Sequence, residues 1–432
     1  MVLMLRRREF LAAMVALPAA RAEAERNAFE PLTREASSLG KKAWQPMLTY
    51  LADLHRRGTH PVQPPFPYPW EDLGPGYHAR AFGHWDVVHE IIDVLPALKQ
   101  HAEWQIRNNL ANQGADGHVP GLIWVKASHL PEGHPPRWNK EASHPPLWPT
   151  AVSDYQSQYR TLELTRFCYR PLKNQIKWFE TQRKAEPAGF HYSRSNWESG
   201  IDDDVRQPFG DSFEPRKAFI DATCHVYQMY DCAAQWAAAL GEVEEGKQFS
   251  SKAAALAEYV RTELYDGKSG FFYDAWSVHD PAKRVESFVA IWPLVFGIAT
   301  PSQAGRLVEE HVMNPKRFYT RHPIASIVPG TRGYELLTWH GPAWNSMTYW
   351  AARGCLRYGF KTEARKLLET ALDASNAQFA RTNTIWEFFH PDGGRPEDMR
   401  REVKPPYEMP RRDYTGHNPL FAMARLLAHG IH

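Results

Sequence analysis

The 432-residue chain is poor in cysteine, balanced in charge and, beyond its first two dozen residues, without a long apolar run. Each shortage excludes something. Lys and Arg number 51 against 49 Asp and Glu, a net charge of +2, so there is neither a basic excess for nucleic acid nor an acidic solvating tail. The four cysteines, Cys168, Cys224, Cys232 and Cys355, match no zinc-binding spacing. Cys224 and Cys232 share one helical pattern, about 12 Å apart along its axis and too far for a bridge. Buried free thiols are expected, with one disulfide left open if the compartment is oxidising. An HExxH pair, a phosphate-loop motif and a GxSxG nucleophile elbow are missing, so zinc-peptidase, phosphate-loop and serine-nucleophile chemistry have no support.

What is present describes a folded protein. Hydrophobic residues make 43% and charged residues 23%, which excludes wholesale disorder and collagen-like or coiled-coil fibres. The length allows two or three domains or one large closed architecture. Trp, Tyr and Phe make 13% of the chain, more than a core needs. Rings lining a sugar-binding groove and rings anchoring core and loops are both open at this point.

The N-terminus reads as a separate object. Arg6, Arg7 and Arg8 precede an apolar stretch from Phe10 to Ala20, followed by Ala20-Arg21-Ala22. This is the pattern of a charged region, a short apolar region and a cleavage site over residues 1–22. The stretch is too short to span a bilayer. Arg7-Arg8-Glu9-Phe10-Leu11 resembles a twin-arginine signal. A periplasmic or secreted mature chain over 23–432 is expected, as a single domain with no stable membrane insertion after cleavage.

Helical periodicity dominates the rest. Val226, Met229, Tyr230, Ala233, Ala237 and Leu240 share one face, and Gly241 stops the helix. Phe249, Ala253, Leu256, Val260 and Leu264 repeat the pattern. Thr300-Pro301-Ser302-Gln303 reads as a capping box. Met347, Trp350, Ala351 and Gly354 mark another helix ending near Gly359, and Ala364, Leu367, Leu368, Ala371 and Leu372 mark its partner. A short hairpin near Gly270-Phe271-Phe272-Tyr273 is the one strand signal. Long irregular segments lie at 60–77, 128–149, 196–214 and 390–417, rich in Pro, His, Trp and paired charges. Segments this long inside a compact fold are usually functional or disordered. Paired helices with such loops suggest a helical barrel whose site lies at one end.

Two acidic clusters carry the chemistry. In Trp197-Glu198-Ser199-Gly200-Ile201-Asp202-Asp203-Asp204, crowded carboxylates raise one another's pKa, as a general acid near neutral pH requires. A solvated acidic loop or a calcium site is the plain alternative. In Trp386-Glu387-Phe388-Phe389, a lone acid sits among aromatics, where desolvation is costly unless the group is used or paired. An exposed edge carboxylate is the alternative there. Two carboxylates from distant parts of the chain are the equipment of glycoside hydrolysis. Asp86, after Trp85, either caps a helix or acts. Trp339-His340-Gly341-Pro342-Ala343-Trp344 sets two rings about a tight turn, where core packing is the alternative. His144-Pro145-Pro146 is equally readable as a turn.

Taken in chain order, Trp85-Asp86, Gly117-His118-Val119-Pro120-Gly121, His144-Pro145-Pro146, Glu198-Ser199-Gly200-Ile201-Asp202, Trp339-His340-Gly341-Pro342-Ala343-Trp344 and Trp386-Glu387-Phe388-Phe389 form a series. The series resembles the (α/α)₆-barrel glycosidases of glycoside hydrolase family 63, which includes processing α-glucosidase and bacterial mannosylglycerate hydrolases. Family 37 trehalases share several of the motifs. The likeness spans roughly Pro69 to Ala428. It implies an all-α (α/α)₆ barrel and an inverting α-glycosidase that acts on a small carbohydrate without metal or cofactor. It makes Asp202 the general acid and Glu387 the general base, the carboxyls separated by roughly 6.5–9.5 Å to admit a water. It places Trp85 and Asp86 on the sugar of the −1 subsite, with Trp197, Gly200, Trp339, Gly341 and Trp344 walling the pocket.

The chain also departs from the family. His340 stands where many relatives carry Arg. Asp203-Asp204-Val205-Arg206 replaces Asn-Ser-Pro-Arg after the acid, and Gly416-His417-Asn418 replaces Gly-Trp-Ser or Gly-Trp-Thr. These changes bear on substrate identity more than on reaction type. His340, His417, His118, His144, Trp386, Tyr77 and Arg80 complete the candidate substrate contacts. Polysaccharide lyases and unsaturated-sugar hydrolases also use helical toroids, and Tyr77, His118 and Arg80 could serve a lyase; a sugar-binding protein without turnover is a further reading.

Overall fold

A computed structural model of the chain describes residues 28–77, 79–127, 134–138, 142–192, 198–206, 217–401 and 408–430. The expected export signal at 1–22, Trp197 and parts of three of the long segments lie outside the described residues.

Residues 28–36 are helical and are taken as α1. The helices that follow are α2 (Gln45–Gly58), α3 (Asp86–Val94), α4 (Lys99–Ala111), α5 (Trp148–Tyr159), α6 (Glu163–Gln182), α7 (Ile220–Leu240), α8 (Val243–Glu263), α9 (Trp292–Val295), α10 (Pro301–Arg306), α11 (Asn345–Arg357), α12 (Lys361–Thr382) and α13 (Leu420–His429). Burial sorts them into two layers. On α8 the buried positions Ala253, Leu256, Ala257 and Val260 form one stripe, the pattern of an outer helix with a wet face. On α7 and α11 residues are buried all round, so those helices must be covered on every side. The inner helices α3, α5, α7, α9, α11 and α13 touch in sequence, and α13 returns to α3. The ring is closed, and the fold is an (α/α)₆ barrel.

Helix ends follow local chemistry. Gly241 sits at φ 87 after α7, and Gly359 at φ 83 after α11, where a side chain would be strained. Thr300 and Gln303 form the capping box that opens α10, with Pro301 in its first turn. The four cysteines are free and buried.

The hairpin at 265–272 forms, with β6 (Tyr265–Asp266) antiparallel to β7 (Phe271–Phe272). A larger sheet was not legible. β3 (Ala79–Gly83) pairs antiparallel with β4 (Leu122–Ala127), and β4 with β5 (Arg137–Trp138). β3 carries two Ala and a Gly, and Leu122-Ile123-Trp124-Val125 does not alternate, so neither strand gives a period-two signal. β1 (Thr59–His60) and β2 (Trp70–Glu71) make a further short pair. None of the described helices is long and apolar enough to cross a membrane.

Candidate active site

The candidate residues gather where the inner helices begin. Asp86 is the first residue of α3, Trp344 directly precedes α11, and His417 lies three residues before α13. The first turn of an α-helix carries unpaired N–H groups and a partial positive charge, so this rim suits polar and anionic groups.

Asp86 is held from three sides. Tyr414 Oη donates to its Oδ1 at 2.6 Å, and His417 Nε2 faces the same oxygen at 3.4 Å. Backbone closes the rest: a Cβ on Gly83 would meet Asp86 Oδ2 at 2.2 Å, and one on Gly416 would meet Oδ1 at 2.8 Å. The N-cap position of α3 is Trp85, which makes no side-chain cap bond. Burial pushes the Asp86 carboxyl up to about 6; the Tyr414 bond opposes the shift, and nearby Glu387 adds to it.

Below Asp86 the imidazoles are neutral. The indole N–H of Trp350 donates to His89 Nε2 at 3.0 Å, so that nitrogen carries a lone pair. The proton is therefore on Nδ1, which donates to the Gly416 carbonyl at 2.9 Å. Burial lowers His89 to about 3. It also lowers His417 well below its ordinary value, with His89 and His144 adding to the effect. His417 Nδ1 lies 2.8 Å from Ser346 Oγ.

An aromatic wall runs beside this cradle. Trp339 and Trp344 stack with centroids 3.8 Å apart and planes 3° apart. Trp85 stacks on Trp339 at 5.3 Å, and His417 meets Trp85 edge-on at 4.7 Å. The Trp344 indole donates to the Thr338 carbonyl, and Gly341 N–H donates to Ser326 Oγ, which fixes the turn. Gly200, at φ 72, presses on Trp85: a Cβ there would lie 2.2 Å from the indole.

Gly200 leads directly to Asp202. The Asp202 side chain is only half-buried by surface exposure, yet protein surrounds it closely enough for desolvation to govern its titration. Its carboxyl is raised to about 7, first by desolvation; Arg401 opposes, and Glu387, Asp203 and Asp86 reinforce. Asp202 therefore shares its field with all the other charges of the pocket. Asp203 is exposed, and Asp204 turns away to Arg206. The acidic triplet thus diverges, and among the described residues no group of three or more His, Cys, Asp or Glu side chains is arranged to hold a metal ion.

Glu387 arrives from the segment after α12. Ala343 and Phe389 exchange two backbone hydrogen bonds, 2.8 and 2.9 Å long, which lash this segment to the Trp339–Trp344 turn. Arg401 Nε donates to both Glu387 oxygens, and Arg411 N–H donates to Oε2 at 3.1 Å. Glu387 is 2% exposed. The Arg401 guanidinium also lies over the Tyr77 ring at 5.8 Å. Burial raises the Tyr77 hydroxyl, Arg401 lowers it, and Glu387, Asp86 and Asp202 raise it further.

The structure thus brings together Tyr77, Trp85, Asp86, Gly200, Asp202, Trp339, Gly341, Trp344, Glu387 and His417. His144, at φ 51, is close by: a Cβ on Gly121 would strike its ring, and one on Gly200 would lie 3.1 Å from Pro145. Other candidates stand elsewhere. The Trp386 indole donates to Thr382 Oγ1 and lies under Arg412. His340 Nε2 donates to the Asp203 carbonyl at 2.9 Å. His118 packs on Trp178 at 4.8 Å beside the Arg183–Glu198 pair, and burial lowers its pKa. Arg80 is exposed on β3. Of the residues a lyase reading invokes, Tyr77 lies under the Arg401 guanidinium, His118 packs on Trp178 and Arg80 is exposed on β3. Arg401, Tyr414 and Ser346 join the site unannounced by any motif; Arg400-Arg401 and the nearness of Tyr414 to His417 were the only signals.

Known proteins resemble this chain in sequence and shape. A family model for the mannosylglycerate hydrolase MGH1-like glycoside hydrolase domain matches residues 82–408, a stretch that contains Asp86, Asp202 and Glu387. A mannosylglycerate hydrolase of Rubrobacter radiotolerans is 26% identical over 168 residues, 37% of this chain and 36% of that protein. The aligned part is therefore little more than a third of that relative's length. The family 63 mannosylglycerate hydrolase of Thermus thermophilus, solved with Tris and D-glycerate, superposes with a TM-score of 0.64 at 17% identity, covering 88% of this chain and 98% of that one. Neutral trehalase of Saccharomyces cerevisiae superposes with a TM-score of 0.60 at 14% identity, over 85% of this chain and 76% of the trehalase.

The matching family model places this chain, a six-hairpin helical toroid with carboxyl groups gathered at the mouth of its inner ring, among the glycoside hydrolases. The chain belongs to the mannosylglycerate hydrolase MGH1-like glycoside hydrolase family.

Proposed function

We propose that the chain is an inverting α-glycosidase acting on a small α-mannoside, α-glucoside or oligosaccharide, with Asp202 as general acid and Glu387 as general base. The observation that supports it best is the unequal treatment of two carboxyls in one pocket. Desolvation and neighbouring carboxylates raise Asp202 to about 7, so it keeps a proton to give. Glu387 accepts from the Arg401 guanidinium and the Arg411 N–H, bonds that a carboxylate accepts. A carboxyl that keeps its proton beside one that accepts cationic and backbone donors is the pairing that general acid and general base roles require.

In the proposed reaction Asp202 protonates the glycosidic oxygen as its bond to the anomeric carbon breaks. Glu387 takes a proton from a water that attacks the opposite face, and the anomer inverts. Asp86 receives sugar hydroxyls in its glycine cradle, and the Trp85–Trp339–Trp344 stack offers a flat apolar wall to the ring. Mannosylglycerate is the first substrate to try, on the names of the relatives. We also propose export: the Arg7-Arg8-Glu9-Phe10-Leu11 stretch supports a twin-arginine route to the periplasm or medium.

The test follows the product anomer by NMR on mannosylglycerate, α-mannosides, α-glucosides and trehalose. First release of the β-anomer is expected. First release of the α-anomer would overturn inversion and the paired roles with it.

A further inference from the structure

We infer that Arg206 is a positioning residue for the general acid, and that with Asp204, Asp221 and Asp274 it forms a buried clamp that holds the Asp202 loop in one conformation. The inference rests on the reading of Asp202 as the acid.

The loop cannot hold itself. Gly200 and Asp203 sit at φ 72 and φ 56 on either side of Asp202. Two left-handed positions interrupt any regular hydrogen bonding, so the geometry must come from anchors. Upstream, Glu198 takes the Arg183 fork at 2.8–3.0 Å. At the middle, His340 Nε2 holds the Asp203 carbonyl.

Downstream the anchoring is denser. Arg206 Nε donates to both Asp204 oxygens at 3.1 Å. Its Nη2 reaches Asp204 Oδ2 at 2.6 Å and Asp221 Oδ2 at 2.7 Å, and its Nη1 reaches Asp274 Oδ1 at 3.0 Å. The backbone joins in: Arg206 N–H donates to Asp204 Oδ1, and its carbonyl accepts from the Trp276 indole. Arg206 and Asp204 belong to the loop. Asp221 belongs to the first turn of α7, and Asp274, which also accepts the Ile220 N–H at 3.0 Å, follows β7. The clamp therefore ties the loop to the barrel. All four residues are buried, none more than 5% exposed.

Stability alone does not explain such a cluster. Three carboxyl groups on one guanidinium are costly to take out of water, and apolar residues of the same volume would hold this space as well or better. What apolar residues lack is direction. A planar fork of donors fixes where its acceptors lie. Asp204 is two residues from Asp202, and a general acid must stay within hydrogen-bond reach of the glycosidic oxygen. A displacement of about 1 Å costs roughly 100-fold in rate.

The experiment measures kcat, KM and the pH profile of full-length Arg206→Lys, Asp204→Asn and Asp202→Asn, on the α-glycoside that the wild type hydrolyses fastest in the panel above. Arg206→Lys keeps the charge and loses the fork. Asp204→Asn leaves Arg206 paired with Asp221 and Asp274, so it decides the matter if Arg206→Lys fails to fold. Both are expected to lower kcat by about 10- to 100-fold with KM within about 2-fold, and to move the alkaline limb of the kcat profile. A folded Asp204→Asn with wild-type kcat and limb, beside an inactive Asp202→Asn, would overturn the clamp alone. Wild-type turnover by Asp202→Asn would overturn the acid assignment and the clamp together.

Discussion

The guanidinium of Arg401 sits astride the carboxylate of Glu387, its Nε 3.2 Å from Oε1 and 3.1 Å from Oε2. The same charge opposes the upward shift of Asp202, so one cation acts on both proposed partners. Arg401→Gln removes a charge-assisted bond of about 1.5–3 kcal/mol, which corresponds to roughly a 10- to 100-fold loss in kcat/KM. It should also raise Asp202 further and move the alkaline limb of activity to higher pH. Steady-state kinetics across pH reads both effects; a limb displaced to lower pH would contradict the arrangement.

Asp202 sets that limb. Its carboxyl is raised to about 7, and as the proposed general acid it acts in the protonated form, so kcat/KM should fall as pH rises through this value. Asp202→Asn should lose about 100- to 10,000-fold on an alkyl glycoside and retain far more on an α-glycosyl fluoride, whose leaving group needs no proton. Comparable losses on the two substrates would remove Asp202 from the acid role.

Much of this site was legible because motifs place acids and rings in chain order. The sequence reading of Asp202 against Asp203 and Asp204 rested on likeness alone, and only the folded loop shows three adjacent carboxylates going to pocket, solvent and Arg206. Trp386 illustrates the opposite limit. It neighbours Glu387 in sequence, but its ring is buried against Thr382 and Arg412 while Glu387 meets Arg401 and Arg411, so one motif serves two different surroundings. Arg401 had only the Arg400-Arg401 pair as a signal, because its partner lies 14 residues away along an irregular segment with no period to count. The helical ring was readable from 3.6-residue spacing; the β3–β4–β5 sheet was not, because β3 is rich in small residues, Leu122-Ile123-Trp124-Val125 does not alternate and β5 is two residues long.

The same carboxyls shape stability. Asp202 and Asp274 are each raised from 3.8 to about 7 in the folded protein. Between about pH 4 and 7 the native state therefore binds more protons than the unfolded chain, and stability falls as pH rises through that window. Asp86, raised to about 6, acts in the same direction, and Asp202→Asn removes one of these groups. Its Tm should match the wild type near pH 4 and exceed it at pH 8, although the variant is inactive. A Tm below the wild type at pH 8 would show that the ionised carboxylate is stabilised in place.

Gly200 separates backbone strain from pocket shape. A side chain at φ 72 costs about 1–2 kcal/mol in any protein, but here the Cβ would also lie 2.2 Å from the Trp85 indole. That ring stacks on Trp339 at 5.3 Å, so relief of the clash must tilt the wall offered to the sugar. Gly241, at φ 87 with nothing within 4 Å of its Cβ position, carries the strain without the clash. Gly241→Ala should lower Tm by a few degrees and leave KM unchanged. Gly200→Ala should lower Tm further and raise KM about 10-fold or more, since about 1.4 kcal/mol of lost stacking is a factor of ten. Equal KM values in the two variants would mean that Trp85 does not meet the substrate.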